Sequence, residues 1–145
     1  MEIKIKKLRE NAIIPSRGSL FAAGYDLYAC LDGESVTIEP HKSAKIGTGI
    51  AAALPAGYFG AIFARSGLAT KQSLRPANCV GVVDADYRGE FIVCLHNDSD
   101  EIRIINNGER IAQLVLMPFM EMDFIETDAL DETERGVGGF GSTGK

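Results

Sequence analysis

SVTIEPHKSAKIGTGIAAALPAGYFGAIFA (residues 35–64) carries three apolar runs in close succession, Val36 to Ile38, Lys45 to Leu54 and Tyr58 to Phe63. Their length and β-branched content favour strands. The turn signal LPAG (54–57) separates the last two. The most apolar part, Gly49 to Ala64, is broken by Pro55, Gly57 and Gly60 and is shorter than a membrane span requires.

The same punctuation continues outward in both directions. Ile3 and Ile5 open the chain, and LDGE (31–34) turns into the quoted stretch. Beyond it come Phe91 to His96, Ile102 to Ile105 and Ile111 to Met117, divided by HNDSDE (96–101) and NNGE (106–109). Short strands with turns at close intervals predict an all-β barrel or sandwich. One short helix is expected from about Ser66 to Ser73, ahead of Pro76. From Glu121 to Glu134 the composition turns acidic, and RGVGGFGSTGK (135–145) is too rich in glycine to pack as an element. That tail reads either as a frayed terminus or as a mobile arm.

With 145 residues, 46% of them hydrophobic, the chain is the size of one domain with a real core. A formal net charge of −5 argues against charge-driven binding to nucleic acid or to an anionic membrane, so an anionic ligand must be held locally. Cys30, Cys79 and Cys94 form no CxxC pair and suggest neither disulfide framework nor zinc cage; all three are expected as buried thiols. MEIKIKKLRE (1–10) alternates apolar and charged residues and lacks the apolar block of a signal peptide, which predicts a soluble, cytoplasmic protein. His41 and His96 have no second histidine at ligand spacing, so neither HExxH zinc chemistry nor a Ser/His/Asp triad is supported.

Five segments could carry chemistry. GVVDADYRG (81–89) runs two apolar positions into a turn, a hairpin able to pinch a small planar ligand. If its strand persists, Asp84 lies beside apolar surface, where a raised pKa suits a general base; a plain Asx turn is the alternative. ARSGLA (64–69) sets Arg65 and Ser66 before Gly67 and the short helix, where N–H groups and a guanidinium can share a phosphate chain; Ser66 as helix N-cap and Arg65 as solvated charge is the bland reading. GERIAQLVL (108–116) places Gln113 in an apolar strand, where its amide needs a partner, and AGYDLYA (23–29) does the same with Asp26, which would want an arginine. GFGSTGK (139–145) matches G-x-x-x-x-G-K, yet it lacks the preceding strand, the following helix and the Ser or Thr of an ATP-binding loop. A narrower role remains for it, a phosphate-gripping arm whose Phe140 stacks on a base.

Taken in order, AGYDLYA, ARSGLA, GVVDADYRG, GERIAQLVL and RGVGGFGSTGK resemble the five motifs of the trimeric dUTP pyrophosphatase family. The resemblance implies a jelly-roll β-barrel assembled as a homotrimer, with active sites shared between subunits. Residues 1–134 would form the barrel, and 135–145 an arm closing over a neighbour's site. The implied reaction is hydrolysis of dUTP to dUMP and pyrophosphate, which keeps uracil out of DNA and supplies dUMP for thymidylate synthesis. Asp84 would activate the water that attacks the α-phosphorus. Tyr87 would pack under the deoxyribose and exclude a 2′-hydroxyl, while Asn78 with Gly81, Val82 and Val83 would read uracil. Arg65, Ser66, Gly67 and Gln113 would bind the phosphate chain, and Arg135, Phe140, Gly141, Ser142 and Thr143 would close over base and γ-phosphate. Asp26 would support the arginines. Mg²⁺ is implied as cofactor, held by substrate phosphates and water without a direct protein ligand. No nucleic-acid or membrane partner is expected.

Two rivals differ at identifiable points. A dCTP deaminase on the same scaffold needs a glutamate in the strand FIVCLHN (91–97), where Cys94 stands instead. A regulatory protein that binds dUTP without cleaving it would not need the catalytic motifs intact.

Overall fold

The computed structural model describes residues 1–139. Along the chain run β1 (Lys4–Lys7), β2 (Ser16–Arg17), β3 (Tyr25–Tyr28), β4 (Ser35–Ile38), β5 (Ser43–Gly47), β6 (Ile50–Ala53) and β7 (Tyr58–Phe63). Then follow α1 (Ser66–Gln72), β8 (Leu74–Pro76), β9 (Gly81–Val83), β10 (Ile92–Asn97), β11 (Arg103–Asn106) and β12 (Arg110–Pro118). The expected all-β class with one short helix is what forms. The helix stops where Ser73 turns left-handed, at φ 56°.

Among the described residues the strands make four sheets, ordered β1-β6, β5-β10-β8, β11-β4 and β2-β3-β12-β7-β9. Every pairing is antiparallel. Among the described residues these ladders do not close into a ring, so the all-β class forms without a closed barrel. Alternation decides which face is buried: along β10, Val93, Leu95 and Asn97 are buried while Ile92, Cys94 and His96 are not. Leu27, Ile38, Ile46, Ile50, Leu74, Phe91 and Ile105 meet them in one continuous core. Asn97 is admitted because its amide donates to the carbonyls of Ile38 (3.0 Å) and Glu101 (2.7 Å) and accepts from Ser99.

Three expectations change. The apolar run Lys45 to Leu54 is two strands, split by Gly49 at φ +67°, where a β-carbon would lie 2.7 Å from both Ala12 Cβ and Cys30 Sγ. GVVDADYRG is no two-stranded hairpin: β9 pairs with β7, and the chain after the turn leaves to join β5 and β8 as β10. Of the thiols only Cys30 is buried; Cys94 is partly covered, and Cys79 is exposed in a left-handed turn at φ 63°.

No helix among the described residues is long and apolar enough to cross a membrane. Past β12, residues 119–139 form no helix or strand, and Met120, Met122, Phe124, Ile125 and Leu130 stand exposed. An apolar groove of about 410 Å³, lined by Ile3, Ile5, Ile14, Leu114 and Leu116 among others, lies open elsewhere on the chain.

Candidate active site

The central strand of the five-stranded sheet builds the first half of the site. β12 sets Gln113 opposite Asp26 of β3 on one side and Phe63 of β7 on the other, one residue before Ala64 and the start of ARSGLA. Gln113 finds the partner its burial required, donating Nε2 to the Ala64 carbonyl at 3.0 Å. Gly24 makes room for it, since a β-carbon there would overlap the Gln113 carboxamide. Asp26, only 14% exposed, receives Arg65 Nε on one oxygen at 2.8 Å and Arg110 on the other at 3.3 Å. Arg65 is thus an ion-paired wall of the site, and Ser66 is the first helical residue and no cap; no side chain caps α1 at Arg65.

Asp26, Arg65, Ser66, Gly67, Arg110 and Gln113 share a pocket of about 220 Å³. Two guanidiniums against one carboxylate leave a positive excess, with a primary amide and a helix-start backbone beside it. That donor set suits a phosphate chain. It suits a divalent cation only when the cation arrives on phosphates, and among the described residues no cluster of three His, Cys, Asp or Glu forms elsewhere.

Arg110 is the residue that sequence reasoning missed. On a regular strand, positions 110 and 113 face opposite sides. A register shift between Arg110 and Ala112, a β-bulge, brings both to the same pocket and lets Ile111 and Ala112 both be buried. Its only signal was a basic residue next to a core strand.

β9 and the turn after it make the second half. Val83 is buried, and alternation turns Val82 outward, 64% exposed. Asn78, Gly81, Val82, Val83, Asp84, Tyr87 and Glu90 line a pocket of about 210 Å³. Gly81 sits against Ile62, on which a β-carbon there would press, with the Asn78 amide at ordinary contact distance. The Tyr87 N–H closes the turn onto the Asp84 carbonyl at 3.2 Å, and the Tyr87 hydroxyl donates to the Glu90 carbonyl at 3.0 Å. Arg88 locks the turn further by donating to the carbonyls of Ala85 and Tyr87. β9 ends at Val83, so the strand does not persist through Asp84; within one chain Asp84 is exposed and makes no side-chain hydrogen bond among the described residues.

The two pockets have no lining residue in common. Arg135 lines neither; it donates Nε to the Gly138 carbonyl at 2.9 Å. Phe140, Gly141, Ser142 and Thr143 lie outside the described residues. Of the histidines, His41 pairs with Asp100, and His96 stands between Ser43 (2.9 Å) and Asp98 (3.4 Å). This row resembles a triad only superficially, because Arg75 engages both oxygens of Asp98.

Known proteins resemble the chain over nearly its whole length. The family model for dUTPase matches residues 10–144. The deoxyuridine 5′-triphosphate nucleotidohydrolase of Nautilia profundicola is 47% identical over 145 residues, all of both chains. A mutant dUTPase of Staphylococcus bacteriophage 80alpha, solved with dUpNHpp, superposes with a TM-score of 0.85 at 30% identity, covering 99% of each chain. A mutant dUTPase from phage phi11 of S. aureus, whose structure details the coordination of a structural Mg(II) ion, gives 0.77 at 29% identity, covering 89% of this chain and 98% of that one. On the extent of these matches, the chain belongs to the dUTPase family.

Proposed function

We propose that this protein is a dUTP diphosphatase that cleaves dUTP to dUMP and pyrophosphate. The observation that carries the reading is the convergence of Asp26, Arg65, Ser66, Gly67 and Gln113, distant in sequence, on one cationic pocket, while Asn78, Gly81 to Asp84 and Tyr87 line a second. The first suits a triphosphate and the second a planar base on its sugar.

Asp84 accepts a proton from water, whose oxygen bonds to the α-phosphorus as the bridging oxygen to the β-phosphate departs with pyrophosphate. Arg65, Gln113 and the Ser66–Gly67 backbone hold the phosphates, Arg110 joins them, and Asp26 keeps both guanidiniums aimed. Asn78 and the β9 backbone read uracil, and the Tyr87 ring lies where a 2′-hydroxyl would collide. Arg65, Arg110 and Gln113 would hold the triphosphate together with any Mg²⁺ it carries, which would offset part of the phosphate charge without a direct ligand from the chain.

The separation of the two pockets supports a site assembled from different copies, in a homotrimer of jelly-roll barrels. The exposed apolar residues of the 119–130 segment and the unfilled apolar groove support such an assembly. In this reading residues 1–134 form the barrel body and 135–145 the closing arm, in which Arg135, Phe140, Gly141, Ser142 and Thr143 cap base and γ-phosphate. Pyrophosphate release from dUTP, UTP, dTTP and dCTP, compared side by side with Mg²⁺, tests it. Release confined to dUTP is expected; equal cleavage of all four, or ammonia from dCTP, overturns it.

A further inference from the structure

Arg9, in the turn after β1, and Glu90, just past the Tyr87 turn, form an ion pair across 81 positions of sequence. Both side chains are about three-quarters covered, at 28% and 25% exposure, so this is not a loosely solvated surface pair. The Glu90 oxygen that meets Arg9 also accepts the Gly49 N–H at 2.7 Å. Gly47 lacks the β-carbon that would overlap both partners, so the pair seats directly against the bend between β5 and β6. Phe91 extends the clamp, its N–H donating to Ile50 and its carbonyl accepting both the N–H and the hydroxyl of Thr48. Burial opposes the charge on Arg9, but the hydrogen bond and charge of Glu90 outweigh it and raise its pKa further, so the cation is permanent.

Glu90 faces two ways. Its side chain is fixed in this brace, and its carbonyl accepts the Tyr87 hydroxyl at 3.0 Å. The Tyr87 ring lies across Gly89, where any β-carbon would overlap it. Tyr87 and Glu90 line the same pocket. Steric selection against one hydroxyl requires a wall that does not move, because a shift of about 1 Å would make room for the extra oxygen. An exposed ring on a turn is a poor wall unless something distant holds it.

We propose that Arg9 and Glu90 are positioning residues that hold Tyr87 in place and thereby set discrimination between deoxyribo- and ribonucleotide. This rests on the reading of Tyr87 as the sugar-facing ring.

The test is kcat and KM for dUTP and for UTP in the full-length enzyme and its Arg9→Gln, Glu90→Gln, Tyr87→Phe and Glu90→Gln/Tyr87→Phe variants. Each single variant is expected to narrow the dUTP-to-UTP ratio of kcat/KM by about tenfold, through better use of UTP. Arg9→Gln should leave dUTP turnover unchanged, and Arg9→Lys should restore part of the ratio. The double variant should lose no more than the worse single one, since the substitutions break one path. A lowered melting temperature with an unchanged ratio overturns the proposal, as do additive losses. Tyr87→Ala separates the layers. If it leaves the ratio intact, the reading of Tyr87 fails and takes the brace with it; if it relaxes the ratio while Arg9→Gln and Glu90→Gln do not, only the brace falls. Arg9→Gln, outside both pockets, decides the matter even if Glu90→Gln does not fold.

Discussion

Asp84 stands at the end of β9 with its carboxylate exposed and free of side-chain partners among the described residues, which leaves it open to a water molecule. Asp84→Asn should keep dUTP affinity, measured by calorimetry, while turnover falls by about 10²- to 10⁴-fold. Unchanged turnover would remove Asp84 from its role. Gly24→Ala places a methyl where the Gln113 amide lies, so KM for dUTP should rise while the melting temperature moves little; an unaltered KM would mean Gln113 does not bind substrate. Residue types were legible because chemistry limits them: an aspartate among aromatics needs a cation, and Arg65 and Arg110 supply it. Arg110 was hidden because it depends on a bulge, which leaves no mark in composition. That Asp84 has no side-chain partner among the described residues was hidden too, since its surroundings depend on where β9 stops.

At the scale of elements, the short apolar runs that became β10 and β12 and the turn signals between strands were readable, because run length and β-branched content mark strands. Two- and three-residue strands such as β2 and β8 carry too few side chains to form such a run. Pairing was not readable either: β9 turning to β7 instead of the following chain is decided by packing of Val83 into the core, far from the local turn chemistry. Gly49 is the position where an element boundary rests on one residue. Gly49→Ala combines a left-handed φ with collisions at Ala12 and Cys30, and should destabilise the fold by about 2–4 kcal/mol. Urea unfolding with an unchanged midpoint would show that the bend does not need glycine.

For the whole molecule, the phosphate-type pocket and the base-type pocket share no lining residue, which is the feature the proposed shared site rests on. Subunits carrying Asp84→Asn and subunits carrying Gln113→Ala, each inactive alone, should regain activity when refolded together; failure to complement would place both halves of each site on one chain. Truncation before Gly138 should leave an oligomer of unchanged size by light scattering with little activity, and full activity would refute the closing arm. Met120, Met122, Phe124 and Ile125 add a thermodynamic corollary. In the proposed assembly, a lone subunit that leaves such side chains in water gains their burial only on association, so part of its folding free energy is a mass-action quantity. The thermal midpoint should therefore climb with protein concentration, and dilution alone should loosen a chain whose every covalent bond and internal contact is unchanged.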